Sequence, residues 1–210
     1  MKTAQPISLK SHWERVYQSG RPDELSWHVP HLEHSLVLIT KTAPKKTASI
    51  IDVGGGESTL VDDLLILGYS ALTVLDISNA CLALARKRLG VLAARVMWRA
   101  ADITTATLPA ANYDLWHDRA VFHFLTEAAD RAAYVSQIKS SLKSGGHVVI
   151  ATFGLSGPLT CSHLDVIRYD QKSLHRELGP EFTLLAYEEI AHVTPSNAVQ
   201  KFIYCTFQFR

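Results

Sequence analysis

The chain has 210 residues, 47% hydrophobic and 20% charged, a balance that points to one globular domain with a sizeable core and excludes a disordered or fibrous polypeptide. Its net charge of +1, with only short basic clusters at Lys41 to Lys46 and Arg86-Lys87-Arg88, gives no support to a nucleic-acid partner. No apolar run approaches the roughly 20 residues of a membrane span and no signal-peptide pattern opens the chain, so a cytoplasmic protein with no membrane partner is expected. Cys81, Cys161 and Cys205 lack any CxxC spacing, which favours free thiols over disulfides or a zinc ribbon.

In chain order, the first feature is an aromatic N-terminal segment, His12-Trp13-Glu14-Arg15-Val16-Tyr17, followed by Trp27. His28, His31 and His34 are spaced three apart, but Pro30 interrupts them and no acid or cysteine completes a ligand set, so no metal is expected. Ser49 to Val53 reads as a buried parallel strand ending on glycines. Ser58 to Leu67 then has apolar residues at helical spacing, closed by Gly68. A second strand reads at Ala71 to Leu75, a helix at Ser78 to Leu89, and further strands at Val96 to Ala100, Tyr113 to Trp116 and His147 to Phe153. A helix around Asp130 to Leu142 separates the last two. This alternation predicts an α/β fold with a mostly parallel, doubly wound sheet and helices on both faces. Phe182 to His192 and Lys201 to Phe209 are joined too tightly for a parallel crossover and should form an antiparallel hairpin, leaving one reversed C-terminal strand.

The chemistry concentrates at strand ends. Asp52-Val53-Gly54-Gly55-Gly56-Glu57-Ser58 is a turn whose glycines allow close approach to a ligand, with helical N–H groups beyond it. A P-loop would need a lysine after these glycines, and none follows. A dinucleotide fingerprint would need a glycine where Thr59 stands. Asp76, with Ile77 beside it, ends the second strand where a carboxylate can accept from both hydroxyls of a ribose; a helix N-cap is its plainer role. Asp102 and Ile103 follow the third strand, placing an acid and an apolar side chain where an adenine amino group and ring could be met.

Together, Ile50 to Ser58, Leu75-Asp76-Ile77, Ala101-Asp102-Ile103, Tyr113 to Asp118 and Leu142 to Gly146 resemble the motif series of class I S-adenosylmethionine-dependent methyltransferases. The resemblance implies a Rossmann-like sheet of seven strands. It also implies S-adenosyl-L-methionine as cofactor, its methionine part at Asp52, Gly54, Gly55, Gly56 and Ser58, its ribose at Asp76 and its adenine at Asp102. Ser58 departs from the usual third glycine. The loop after strand four lies beside the transferable methyl in that family. Asp118 and His123 are therefore candidate catalytic groups, Asp118 also as a cofactor contact, with His117 behind them. Histidine suits a general base because its ordinary pKa lies near 6.5; pairing of Asp118 with Arg119 and packing of the histidines are the alternatives.

Small methyltransferases often begin with a Trp and Tyr on a short helix that covers the site. By that likeness residues 1–45 form a helical lid on a core of 46–210, within one domain, and Trp13, Tyr17 and Trp27 face the acceptor; they could equally staple the segment to the core. Arg168 and Tyr169, after Cys161-Ser162-His163, are further candidates for shaping the acceptor side. The expected activity is methyl transfer to a small molecule by a monomer or homodimer. A protein lysine methyltransferase is the rival enzyme, and a non-catalytic cofactor-binding regulator, its acceptor side plugged by Trp27 or Phe122, is the rival outside catalysis.

Overall fold

The computed structural model describes residues 8–19 and 24–210. Two helices come first, α1 (Leu9–Ser19) and α2 (Glu33–Thr42). The core alternates β1 (Ser49–Val53), α3 (Leu60–Ile66), β2 (Ala71–Asp76), α4 (Asn79–Leu89), β3 (Val96–Ala100), β4 (Tyr113–Arg119), α5 (Ala128–Ser141) and β5 (Leu142–Phe153). A small hairpin of β6 (Thr160–Cys161) and β7 (Leu164–Asp165), helix α6 (Gln171–Leu178), and the long strands β8 (Phe182–Val193) and β9 (Val199–Phe209) complete it. The large sheet has seven strands in the order β3-β2-β1-β4-β5-β9-β8. β1 pairs in parallel with β2 and β4, and β9 runs antiparallel to both β5 and β8. This is the predicted doubly wound sheet with one reversed C-terminal strand. No described helix is long and apolar enough to cross a membrane.

Central strands are buried on both faces, which is why they read as unbroken apolar runs rather than alternating ones. Ile50, Leu115 and Val149 pack into one core layer, while Ile51, Trp116 and Ile150 pack into the other. The two layers are covered by helices on opposite sides of the sheet, and the strand ends of β1, β2, β3 and β4 open between them.

Boundaries moved for local reasons. The helix expected from Ser58 begins at Leu60, with Thr59 at its N-cap, and the Ser58 hydroxyl before it accepts from the Leu60 N–H at 3.1 Å. Gly68, at φ +90°, closes it as expected. Strand four runs on to Arg119 instead of stopping at Trp116, held between β1 and β5 over its last residues. Ser78 caps α4, with its oxygen 3.4 Å from the Cys81 N–H. Helices α2 and α6 and the β6–β7 hairpin were not legible. In α6 only Leu174 and Leu178 are buried, too few apolar positions for a periodic signal, and its Asp170/Ser173 capping box marks its start instead.

Candidate active site

A cleft enclosing about 1050 Å³, its open mouth included, lies over the strand ends. One end is walled by Gly54, Asp76, Ile77, Asp102 and Ile103, the other by Trp13, Trp27, Arg119, Phe124, Phe153, Cys161, Gln200 and Phe202, with Tyr17 of α1 set against the glycine turn. A smaller recess behind the turn is lined by Asp52, Gly54, Gly55, Ser58, His117 and Arg119, among others.

The turn is shaped by two glycines that no other residue replaces without strain. Gly54 sits at φ +68° and a Cβ there would stand 2.0 Å from Val121 Cγ2; its N–H donates to the Leu75 carbonyl at 2.7 Å. Gly56, at φ +52°, lies against two residues of the cleft wall: a Cβ there would come within 3.0 Å of the Tyr17 hydroxyl and 3.4 Å of Asp76 Oδ2. Arg88 braces the turn from outside, donating to the carbonyls of Glu57 (2.5 Å) and Ser58 (2.8 Å) and to Asp62. Nothing in the local sequence around Arg88 marks this role; only the fold brings α4 back against the turn.

Asp76 takes the capping role and lines the cleft. Oδ1 accepts from the Ser78 N–H at 2.9 Å, while Oδ2 is the oxygen toward Gly56. Burial pushes its carboxyl up to about 6; the Ser78 N–H and Cys81 oppose that rise and the nearby Asp52 adds to it. Asp102 Oδ1 accepts from the N–H and hydroxyl of Thr104 at 2.9 and 2.7 Å, fixing the carboxylate beside Ile103 at the cleft wall. The Asp52 carboxylate accepts from Nδ1 of His117 at 2.7 Å, and Nε2 of that ring meets the Ser35 hydroxyl at 3.0 Å. This buried chain ties the strand under the glycine turn to α2.

Asp118 and His123 stand behind the wall. Asp118 is fully buried and accepts from the N–H groups of Val121 (2.8 Å) and Phe122 (3.1 Å) and from the Tyr134 hydroxyl (2.5 Å). Burial raises its carboxyl to about 6 against those bonds. The Phe153 N–H donates to His123 Nδ1 at 3.2 Å, so the ring carries its proton on Nε2, which has no partner among the described residues. Burial, then Arg119, holds this imidazole neutral down to about 3. Both residues pin the Val121–Phe124 turn whose outer side lines the cleft. Arg119 does not pair with Asp118: successive residues of β4 point to opposite faces.

Helix α1 is held by Glu14. Its carboxylate accepts from the N–H groups of Asn79 (2.8 Å) and Ala80 (3.0 Å) and the Ser78 hydroxyl (3.0 Å). Burial raises its pKa, but these bonds outweigh it and leave the group below its ordinary range. Glu14 thus docks α1 on the start of α4 and sets Trp13 against Trp27 (5.7 Å between rings) and Phe124 (5.1 Å). Arg168 and Tyr169 do not line the cleft; Arg168 donates to the Gly157 carbonyl at 3.2 Å and Tyr169 stacks 5.5 Å from Phe122. Phe122 is thereby packed away from the cleft, and Trp27 forms part of its wall. No cluster of three His, Cys, Asp or Glu able to hold a metal occurs among the described residues.

Residues 50–146 match the family model described as a methyltransferase domain. The chain is 21% identical, over 98% of its length, to a Mus musculus protein described as eEF1A lysine and N-terminal methyltransferase, and spans 32% of that protein. Among solved structures it is similar to the Burkholderia thailandensis 1,6-didemethyltoxoflavin-N1-methyltransferase, which holds its namesake compound and S-adenosylhomocysteine. That likeness has a TM-score of 0.75 at 19% identity and covers 99% of this chain and 93% of that one. A methyltransferase from Anabaena variabilis gives a TM-score of 0.73 at 15% identity, covering 98% and 96% of the two chains. At these identities the structures share a fold.

Proposed function

We propose, for a chain that carries a methyltransferase domain on the class I seven-stranded fold, that it transfers a methyl group from S-adenosylmethionine to a small-molecule acceptor. The observation that carries this is one cleft with Asp76 and Asp102 at one end and an aromatic enclosure at the other. Asp76 would accept from the ribose hydroxyls with Oδ2, the oxygen its capping bond leaves over. Asp102, its orientation fixed by Thr104, would meet the adenine amino group above Ile103. The bare backbone of Gly54 to Gly56 would take the methionine part, in the space a Cβ on Gly56 would fill. When bound, S-adenosylmethionine supplies a methyl group on a positively charged sulfur, open to displacement by a nucleophile. The chain's part is to align the two reactants and exclude water. Trp13, Trp27 and Phe124 would close over the acceptor, while Asp118 and His123 would act by holding the Val121–Phe124 wall in place.

The likeness to curated proteins named for eEF1A lysine and N-terminal methylation favours a second reading, a protein amine as acceptor. Incubating the protein with methyl-labelled S-adenosylmethionine and fractionated cell extract separates the two. Label in small molecules supports the first reading, label in a protein band supports the second, and no cofactor-dependent label in either would defeat both.

A further inference from the structure

Arg119 is a cation at the enclosed end of the cleft to which the reading above gives no task. It ends β4. Its Nε donates to the Tyr204 hydroxyl at 3.2 Å and its Nη1 to the Trp27 carbonyl at 3.1 Å, and its guanidinium carbon lies 4.8 Å above the Phe202 ring. These contacts hold the fork rigid and partly buried while leaving Nη2 without a partner, and no carboxylate pairs with it among the described residues. Its charge is felt by His123, His192 and Cys161, none of which offers a negative counterpart: burial and Arg119 both hold the two imidazoles toward neutrality, and burial raises the thiol.

A cation withdrawn from water costs free energy unless it is paired. A guanidinium with spare donors in a fixed plane matches the two oxygens of a carboxylate. Around it, Trp13, Trp27, Phe124, Phe153 and Phe202 present ring surfaces suited to a flat apolar body. Arg119 reaches toward β9, through Tyr204 and Phe202, whereas Asp76 and Asp102 follow β2 and β3 on the other side of β1. The anion it awaits therefore lies at the acceptor end. We propose that Arg119 anchors a carboxylate on the methyl acceptor, so that the substrate class is a small planar acid. The proposal rests on the methyl-transfer reading and deepens it. It also disfavours a lysine ammonium in the same place, which would meet a like charge.

Arg119 also borders the recess behind the glycine turn, so the competing occupant is the carboxylate of the methyl donor itself. The test is calorimetry on the full chain with S-adenosylhomocysteine, 5′-methylthioadenosine (which lacks the amino-acid part), 2-naphthoate and its uncharged isostere 2-naphthamide. With S-adenosylhomocysteine saturating, wild type should bind 2-naphthoate at least about tenfold more tightly than 2-naphthamide, the effect of one charge-assisted bond. Arg119→Gln should bring the two probes to near parity, and Arg119→Lys, which keeps the charge but not the fork, should fall between. Equal or absent binding of the two probes by wild type overturns the proposal without any variant. A selective loss of S-adenosylhomocysteine affinity in Arg119→Gln, with 5′-methylthioadenosine unchanged and the naphthoate preference kept, assigns Arg119 to the donor and overturns it as well. Failure of wild type to bind S-adenosylhomocysteine at all defeats the methyl-transfer reading together with this proposal.

Discussion

Replacing Asp76 with Asn should separate its capping bond from the ribose contact proposed for it. The amide oxygen of Asn can still accept from the Ser78 N–H, which Asp76 now does at 2.9 Å, so the turn into α4 is kept. The second oxygen becomes an NH2 group that cannot accept from a ribose. Losing charge-assisted bonds there should weaken S-adenosylhomocysteine binding by about 1.5–3 kcal/mol, roughly ten- to hundredfold. Stability should move the other way. The folded-state pKa of about 6 stands above the ordinary 3.8, so the ionised group costs nothing below 3.8, and the cost grows as pH rises to about 6 and stays in force above it. At about 1.4 kcal/mol per tenfold change in proton affinity, the neutral variant should gain up to about 3 kcal/mol at pH 8. Calorimetry and thermal denaturation at pH 8 and pH 5 read both effects. Wild-type affinity should fall toward pH 5, where about a tenth of Asp76 is ionised, and the variant should lose this pH dependence. Unchanged affinity in Asp76→Asn, or a lower melting temperature at pH 8, would refute the reasoning.

Gly54→Ala combines a left-handed φ with a Cβ 2.0 Å from Val121, and should cost about 2–5 kcal/mol of stability, part of it restored by Val121→Ala in a thermal melt. Asp118→Ala strands the amides of Val121 and Phe122 and the Tyr134 hydroxyl; denaturant titration should show a loss of at least about 3 kcal/mol, against about 1 kcal/mol for Tyr134→Phe. His123 stays neutral in the fold down to about 3 but takes up a proton near 6.5 when unfolded, so its contribution is complete above pH 6.5 and erodes as pH falls. Wild type should lose about 2–3 kcal/mol from this source by pH 4.5, and His123→Phe should be less acid-sensitive over the same range. Glu14→Ala removes the three bonds that seat α1; it should weaken S-adenosylhomocysteine binding by about 1 kcal/mol while leaving the denaturant midpoint of the core nearly unchanged.

The order of β1 to β5, the reversed last strand, and the acids at the ends of β2 and β3 were legible in the chain itself. Buried parallel strands write their burial as local apolar runs, glycines write a tight turn, and an acid at a strand end keeps its place relative to both. Only the tertiary structure decided which way the side chains after Trp116 face. His117 and Arg119 point to the face shared with α2 and β9, where they meet Ser35 and Tyr204, while Asp118 points to Tyr134 on the other. A one-residue offset decides between a cleft wall and a buried brace, and it depends on how far β4 stays paired with its neighbours. The roles of Arg88 and Glu14 were illegible for the same reason: their partners lie 30 and 64 residues away at their nearest side-chain bonds to the turn and to α4, a proximity that packing creates and local pattern does not encode.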